Sequence, residues 1–397
     1  MFRIAWKNAW FNKFHSVLSL LLFALGVGLI SFLLQVQHRL QQNFEKNLAG
    51  VDLIIGAKGS PLQLILCNLY HIDNPTGNIK LSAVQAFMNP AHPLISAAVP
   101  VSVGDNYRGF RIVGTTQEFP GLYSAGLEQG TMFGKAMEAC IGYEVSKNAG
   151  LKIGDEFYSE HGLLQGDGEN SHGQKFRVCG IFSPGGAVLD QLILTPIESI
   201  WMVHSDHKEE HENSEKSITA LLLKYRNRAN FQVLNLPRNI NEHTDMQAAV
   251  PAIEMNRLYV ILGTGEKMLR MLAFSIILVS GVSIFLALLN ALKERKNELA
   301  LMRVMGASSG RLFGLIMAEA GILALVGSIV GFAISHGAMF LFGNYVKNAY
   351  RYSFEGLTFL PGELVLFAVA VLIGLVSGLI PALLAYRTRI TVSSGQN

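Results

Sequence analysis

A histidine-rich segment contains the side chains of this sequence that are best suited to bind a metal: His204, His207 and His211. Spacings of three and four residues would place the three imidazoles on one face of a helix. The run Thr195 to Glu198 has the form of a capping box with proline at the first helical position, so a helix should begin there. Such an array, completed by a carboxylate, can ligate zinc. The alternative is a solvated polar loop, which the hydrophilic composition of the segment and the lack of a nearby cysteine ligand favour.

Sequence motifs for catalysis or nucleotide binding do not occur. The chain contains no GxxxxGK[ST] phosphate loop, no GxSxG elbow and no HExxH pair. Its GAKGSP segment, Gly56 to Pro61, has the lysine before the glycine and is interpreted as a tight backbone turn. We therefore expect no enzymatic activity and no cofactor in this chain, with ATP and magnesium held by a separate ATPase polypeptide. A net charge of +3 without a basic stripe argues against a nucleic-acid partner.

A basic segment, Lys293 to Arg311, offers a different chemistry, which is contact with another protein. Five of its side chains are cationic, and an excess of lysine and arginine in a short loop marks the cytoplasmic face of a membrane. Helical spacing would bring four side chains onto one stripe that can enter a groove of a partner. They are Glu298, Leu301, Met302 and Met305. Packing of the same stripe against the membrane is the alternative.

Four apolar spans must position these segments, and they are 17–34, 272–292, 312–342 and 364–385. Each can cross a hydrocarbon core of roughly 30 Å, and backbone groups in lipid must bond internally, so the spans should be helices. The content of 50% hydrophobic and 15% charged residues fits a membrane protein with a large soluble part. Cations flank the first and last spans, so we expect both termini in the cytoplasm. The first span lacks a small-residue cleavage site and should be an uncleaved anchor.

The expected organisation follows from these spans. It comprises an interfacial helix (1–16), the first span (17–34), an extracytoplasmic part (35–271), the second span (272–292), a cytoplasmic loop (293–311), the third span (312–342), an external loop (343–363), the fourth span (364–385) and a cytoplasmic tail (386–397).

Small residues and one carboxylate distinguish the last two spans. Gly327 with Gly331, and Gly374 with Gly378, form GxxxG pairs that permit close helix approach, although glycines that face lipid would show the same spacing. Glu319 is the one carboxylate within the predicted spans. Because it lies early in the third span, we expect it to reach the cytoplasmic interface in preference to forming a buried pair.

The extracytoplasmic part should begin and end with helical stalks. Val36, Leu40, Phe44 and Leu48 recur every four residues, and Gly50 is a natural stop. The returning stalk, 253–271, contains two glycines, Gly263 and Gly265, which we expect to interrupt it. Between the stalks, β-rich runs alternate with glycine-rich turns and predict a mixed α/β domain. The clearest strands are VDLII, FRIVGTT, KFRVCGIF, QLILTP and SITALLLKY.

Three cysteines, Cys67, Cys140 and Cys179, fall in the extracytoplasmic part, where disulfides can form. An odd number leaves at least one thiol unpaired. A bond between Cys140 and Cys179 and two buried apolar thiols remain equal alternatives at this point.

Several segments resemble a known family. The run Glu298 to Ser308, ELALMRVMGAS, is similar to the loop of FtsX-type ABC transporter permeases, which include MacB and the lipoprotein-releasing permeases. The segments Gly130 to Phe133, EACIGYEVSKNAGLKIGD and FRVCGIFSPGG resemble the MacB-like periplasmic core domain. The implied fold is an α-helical membrane protein with four transmembrane helices and a large mixed α/β domain between the first and second.

The resemblance also implies partners and a site. The loop would contact an ABC ATPase subunit through Glu298, Leu301, Met302, Arg303, Met305 and Gly306. A second permease copy or a paralogue would complete the membrane part, in the bacterial inner membrane, and a periplasmic adaptor or binding protein could join outside. ATP hydrolysis would then drive export or release of a lipoprotein, peptide or amphiphile. A zinc-linked transport system, or a scaffold that regulates a cell-wall hydrolase, are the alternatives.

Overall fold

The computed structural model of the chain describes residues 13–161, 171–205, 216–350 and 358–387. Most of the predicted interfacial helix and nearly all of the predicted cytoplasmic tail lie outside these ranges. The helices are α1 (Lys13–Asn47), α2 (Pro61–Asn68), α3 (Leu81–Val84), α4 (Phe119–Leu122), α5 (Tyr143–Ala149), α6 (Ile197–Ser205), α7 (Phe231–His243), α8 (Pro251–Glu294), α9 (Lys296–Val304), α10 (Ser309–Tyr350) and α11 (Pro361–Tyr386).

The strands alternate with the short helices α2 to α7. They are β1 (Leu53–Ala57), β2 (Ile79–Lys80), β3 (Ile95–Tyr107), β4 (Phe110–Thr115), β5 (Leu127–Gly130), β6 (Glu138–Ile141), β7 (Glu156–His161), β8 (Ser171–Phe182), β9 (Ile193–Pro196), β10 (Ser217–Ile218), β11 (Ala220–Tyr225) and β12 (Met246–Ala249). The chain divides into two compact units. Of the described residues, the membrane unit contains 13–40, 261–349 and 358–387, and the α/β domain contains 41–161, 171–205, 216–260 and 350.

Within the described residues, four helices, α1, α8, α10 and α11, are long and apolar enough to cross a membrane. This confirms the four predicted spans, although α1 and α8 extend well beyond the apolar runs. The expected interruption at Gly263 and Gly265 is wrong, because α8 is continuous from Pro251 to Glu294. A methyl group at either glycine would meet nothing within 4 Å, so these residues weaken helix propensity there without breaking the helix.

Close helix contacts hold the membrane unit together. A Cβ added to Gly331 would lie 2.7 Å from the carbonyl oxygen of Ala24, and one added to Gly327 would lie 2.9 Å from Phe23. On the other side of α10, a Cβ at Gly374 would lie 2.3 Å from the Ala324 side chain, and one at Gly378 2.4 Å from Ala320. All four predicted glycines therefore lie where two helix backbones approach closely.

A ten-stranded sheet forms the centre of the α/β domain, in the order β12-β1-β11-β3-β4-β9-β6-β8-β5, with β7 pairing to β3 and β8. Strands β2 and β10 form a separate pair. Most neighbours are antiparallel, whereas β4 with β9 and β6 with β8 are parallel. The five runs singled out as strands all lie in or overlap strands of this domain, which confirms a mixed α/β domain between the first and second spans.

Apolar layers cover both faces of the sheet. In β1, Ile54 belongs to one buried cluster while Leu53 and Ile55 belong to another, because successive side chains of a strand point to opposite faces. A strand buried on both faces must be apolar throughout, as this one is. The first stalk ends in the same domain. Phe44 packs edge-on against Tyr70 and Tyr259, each at 5.4 Å between ring centroids.

Candidate coupling site

The short helix α9 lies between two breaks in the backbone. The chain leaves helical geometry at Arg295, after α8, and again at Gly306, whose φ of +97° is in the left-handed region that favours glycine. Between these breaks, leucine, alanine, methionine and arginine are good helix formers. Glu298 in the first turn and Arg303 in the last turn complement the helix dipole. The loop is thus a separate helical element between two spans.

The outward face of α9 is apolar and exposed. Leu301, Val304 and Met305 are 60%, 61% and 72% exposed. With 3.6 residues per turn, these three lie on one side of the helix, and the exposed Glu298 lies beside them. We call Leu301, Val304 and Met305 the outer stripe. Val304 was not included in the predicted stripe, because the residues chosen for that stripe already have helical spacing without it.

The inward face of α9 packs onto the membrane unit. Arg295 and Leu299 are buried, and Met302 lies against the same apolar core. Met302 therefore departs from the predicted stripe, because the helix turns its side chain towards the spans. Arg303 is half-buried, and Gly306 is exposed at the end of the element.

An ion pair anchors the beginning of α9 to the third span. The Arg295 guanidinium lies 3.7 Å from a carboxylate oxygen of Glu319, and Glu319 is only 1% exposed. The expectation that Glu319 would not form a buried pair is wrong. The carboxylate faces protein because the loop after α8 places Arg295 beside it. Intramembrane charges are stable when paired in this way. The loop before α9 and the helix α10 are thus joined by a contact between opposite charges.

A second polar cluster, which we call the Glu363 cluster, joins the first, third and fourth spans. Oε1 of Glu363 accepts hydrogen bonds from Ser31 Oγ at 2.6 Å and from Gln35 Nε2 at 3.0 Å. Gln35 also donates to Ser335 Oγ at 3.0 Å. His336 Nε2 lies 3.4 Å from the same carboxylate oxygen. Four polar side chains of α1 and α10 thus surround one carboxylate of α11.

The backbone of α11 also contributes to this cluster. The amide of Leu360 donates to Oε2 of Glu363 at 3.0 Å, at the positive end of the helix. Sequence reasoning missed Glu363 because the predicted fourth span begins one residue later, at Leu364. The polar positions Ser31 and Gln35 near the end of the first apolar run were the available signal.

The predicted histidine site lies mostly outside the described residues. His207 and His211 are in that part, while His204 lies in α6 with Nε2 3.5 Å from Asp105 Oδ2. The helix begins next to the predicted position, at Ile197, but Thr195 belongs to β9 and donates to the Glu138 carbonyl and to Ser199. Among the described residues, no group of three or more potential metal ligands occurs. The zinc site stays a prediction.

Curated relatives match almost the whole chain but are much longer. The pyoverdine export ATP-binding/permease protein PvdT of Pseudomonas entomophila is 25% identical over 413 residues, which is 96% of this chain and 57% of that protein. PvdT of Pseudomonas aeruginosa is 24% identical over 406 residues, 96% of this chain and 56% of that protein. This chain therefore spans a little over half the length of these relatives.

Solved structures and family models complete the comparison. The periplasmic region of MacB from Actinobacillus actinomycetemcomitans matches with 12% identity and a TM-score of 0.35, covering 54% of this chain and 97% of that chain. The MacB-like periplasmic core domain matches residues 16–235, and the FtsX-like permease C-terminal domain matches residues 270–390. The match to the MacB-like periplasmic core domain covers the first span and most of the α/β domain. The match to the FtsX-like permease C-terminal domain covers α9 and the remaining spans. The chain belongs to the MacB/FtsX-like family of ABC transporter permeases.

Proposed function

We propose that this chain is the membrane subunit of an ATP-driven export or release system, in which α9 binds an ABC ATPase. The observation that carries the proposal is the outer stripe, which presents three large apolar side chains on a short helix between two spans. An amphipathic helix with its apolar face exposed fits a hydrophobic groove of a partner. ATP and magnesium are then held by the ATPase.

The inward face of α9 supports a role in transmitting force. Arg295 and Leu299 are buried against the membrane unit, and Arg295 pairs with Glu319 of α10. A push on α9 would therefore reach the third span through a buried contact instead of being lost in a flexible loop. The α1 and α8 helices continue from the spans into the α/β domain, so they can carry the movement onward.

The proposed location is the bacterial inner membrane, with both termini and α9 in the cytoplasm and the α/β domain outside. The cations around α9 support this orientation. Four spans are few for enclosing a substrate path, so we propose that the chain works with a second copy or a paralogue. The word "export" in the names of the PvdT relatives supports outward transport, and we propose an amphiphile, peptide or lipoprotein as cargo.

The coupling proposal is tested by replacing Leu301 and Met305 together with aspartate. Both side chains are exposed, so the protein should insert and fold normally. Two charges in the outer stripe should abolish co-purification with the ATPase, or leave hydrolysis uncoupled from transport. The measurement is pull-down of the ATPase from detergent extracts, together with ATP hydrolysis in reconstituted vesicles.

A matched control is Lys296→Asp, which changes the net charge by the same two units on another side of α9. It should retain ATPase binding. Normal binding and transport by the Leu301→Asp, Met305→Asp double variant would refute the assignment. Orientation is tested separately, by labelling Ser308→Cys in a variant without other cysteines. Modification by an impermeant reagent added outside intact cells would contradict a cytoplasmic α9.

A further inference from the structure

Two cysteines lie side by side in the α/β domain. Cys140 is in β6 and Cys179 is in β8, two parallel neighbours of the large sheet. The register shifts between them. Ala139 faces Val178, but Cys140 faces Gly180, so β8 contains one extra residue at this point, and that residue is Cys179. The bulge keeps the Cys179 side chain on the same face as Cys140, since both contact the same apolar cluster.

The two sulfur atoms are already close. The distance between Cys140 Sγ and Cys179 Sγ is 3.5 Å, against about 2.05 Å for a bonded pair. The two sulfur atoms would have to approach by about 1.5 Å to bond. The adjacent Gly180 leaves space for the pair. A Cβ at that position would lie 3.1 Å from Cys140 Sγ and 2.6 Å from the Thr131 carbonyl oxygen.

We propose that Cys140 and Cys179 form a disulfide when the α/β domain faces an oxidising compartment. This inference rests on the proposed orientation, which places the domain outside the cytoplasm. The bond would join β6 to β8 and close a loop between residues 39 positions apart. It would also secure the segment after β5, because the Thr131 amide donates to the Cys179 carbonyl.

The environment of each thiol assigns its role. Cys179 is partly exposed and Cys140 is buried, so an oxidant can reach Cys179 first. The hydrogen bond from the Cys140 thiol lowers the pKa of Cys179, while the same hydrogen bond, followed by burial, raises the pKa of Cys140. Cys179 is therefore the thiol that ionises first and acts as the nucleophile.

The oxidant is a disulfide, either of a thiol-oxidising protein or of a small molecule such as oxidised glutathione. The Cys179 thiolate attacks one sulfur of that disulfide, breaks its S–S bond and releases one thiolate. Cys140 then loses its proton to water and attacks the Cys179 sulfur, which forms the new bond and releases the second thiolate. Two thiols of the chain are oxidised, and one external disulfide is reduced to two thiols.

The third cysteine provides an internal control. Cys67 is fully buried in α2, and burial raises its pKa to about 11. It belongs to a helix and not to the paired strands β6 and β8, so it should stay reduced while the pair reacts.

The test uses the full-length protein purified in detergent, reduced and then titrated with oxidised glutathione. After alkylation and digestion, mass spectrometry should find the Cys140 and Cys179 peptides linked and Cys67 alkylated only after unfolding. Closing a loop of this size should raise Tm by several degrees. The rise should be lost in Cys179→Ser, which changes a partly exposed side chain, and kept in Cys67→Ser. Alkylation of both Cys140 and Cys179 after oxidation would overturn the proposal.

A second measurement separates this inference from the proposed orientation. Free thiols in intact cells are blocked by acid quenching and alkylation before extraction, and the linked peptide should be found. A bond that forms in the purified protein but not in the cellular protein would overturn the disulfide in the cell. Labelling of Ser308→Cys from outside then shows whether the proposed orientation has failed too. A pair that never links, together with a protected Ser308→Cys, overturns the disulfide and leaves the transport proposal intact.

Discussion

The membrane unit and the α/β domain bury polar side chains in different ways. In the membrane unit, the buried carboxylates Glu319 and Glu363 both have polar partners, a guanidinium for Glu319 and hydroxyl, amide and backbone donors for Glu363. In the α/β domain, His71 is buried with a φ of 52°, and among the described residues neither ring nitrogen has a hydrogen-bond partner. Burial, followed by the nearby Arg111 charge, lowers the pKa of His71 to about 3.

The difference shows two ways to limit the free-energy cost of burying an ionisable side chain. A carboxylate in a membrane-spanning helix stays ionised only with donors or opposite charges close by, since lipid supplies neither. An imidazole can instead remain neutral at ordinary pH and be buried without a counter-charge. The buried carboxylates depend on partners from distant parts of the chain. The buried imidazole depends on a pH at which it is neutral.

The largest effect should come from removing one member of the buried ion pair. Glu319→Leu leaves the Arg295 charge buried without its carboxylate, and the free energy of unfolding should fall by about 3–5 kcal/mol. Replacing both partners, Arg295→Met with Glu319→Leu, should recover most of that loss, because the uncompensated charge is gone. Thermal unfolding in detergent measures both variants. Glu298→Leu, an exposed site in the same loop, should change stability by less than about 0.5 kcal/mol. Equal losses in the single and double variants would show that charge pairing is not the cause.

A pH-dependent effect that stays smaller between pH 7.5 and 4.5 should come from His71. Its pKa is about 3 in the folded domain and about 6.5 when unfolded, so below pH 6.5 the unfolded chain takes up a proton that the folded chain does not. Stability should therefore fall as the pH falls from 6.5 towards 3, by up to about 1.4 kcal/mol per unit. His71→Asn, which tolerates the left-handed backbone, should flatten this slope. Tm measured from pH 7.5 to 4.5 tests this, with the exposed His243→Asn as control. An unchanged slope in His71→Asn would contradict the assignment.

The smallest effect should come from neutralising the Glu363 cluster without changing its shape. Glu363→Gln retains an acceptor oxygen for Ser31 but loses the charge, so hydrogen bonds to an ionised group become ordinary ones, a loss of about 1 kcal/mol. A double-mutant cycle with Ser31→Ala should give a coupling energy of similar size, because the two side chains are 2.6 Å apart. Ser283→Ala, which removes an exposed hydroxyl bonded within its own helix, should have little effect. Strict additivity in the cycle would show that the contact does not contribute to stability.

Features that depend on neighbouring residues could be predicted from the sequence alone. The four spans follow from uninterrupted apolar composition, and the end of α1 at Asn47 follows from the period of Val36, Leu40, Phe44 and Leu48 before Gly50. Strands such as β1 and β11 follow from short runs of β-branched and aliphatic residues. The exposed positions Leu301 and Met305 of α9 follow from helical period. Each of these features is determined within one helix or one strand.

Contacts between distant segments were decided only by the tertiary structure. Ser31 and Glu363 are separated by 332 positions, and the Glu319 partner lies in the preceding loop, so no local pattern could show that either carboxylate is buried and paired. Met302 has the helical spacing of an outward residue, yet the fold of the loop turns it towards the spans. The approach of Cys140 and Cys179 likewise requires the parallel pairing of β6 with β8 and its bulge. Local periodicity determines which residues share a face of an element, whereas the packing of elements determines what that face meets.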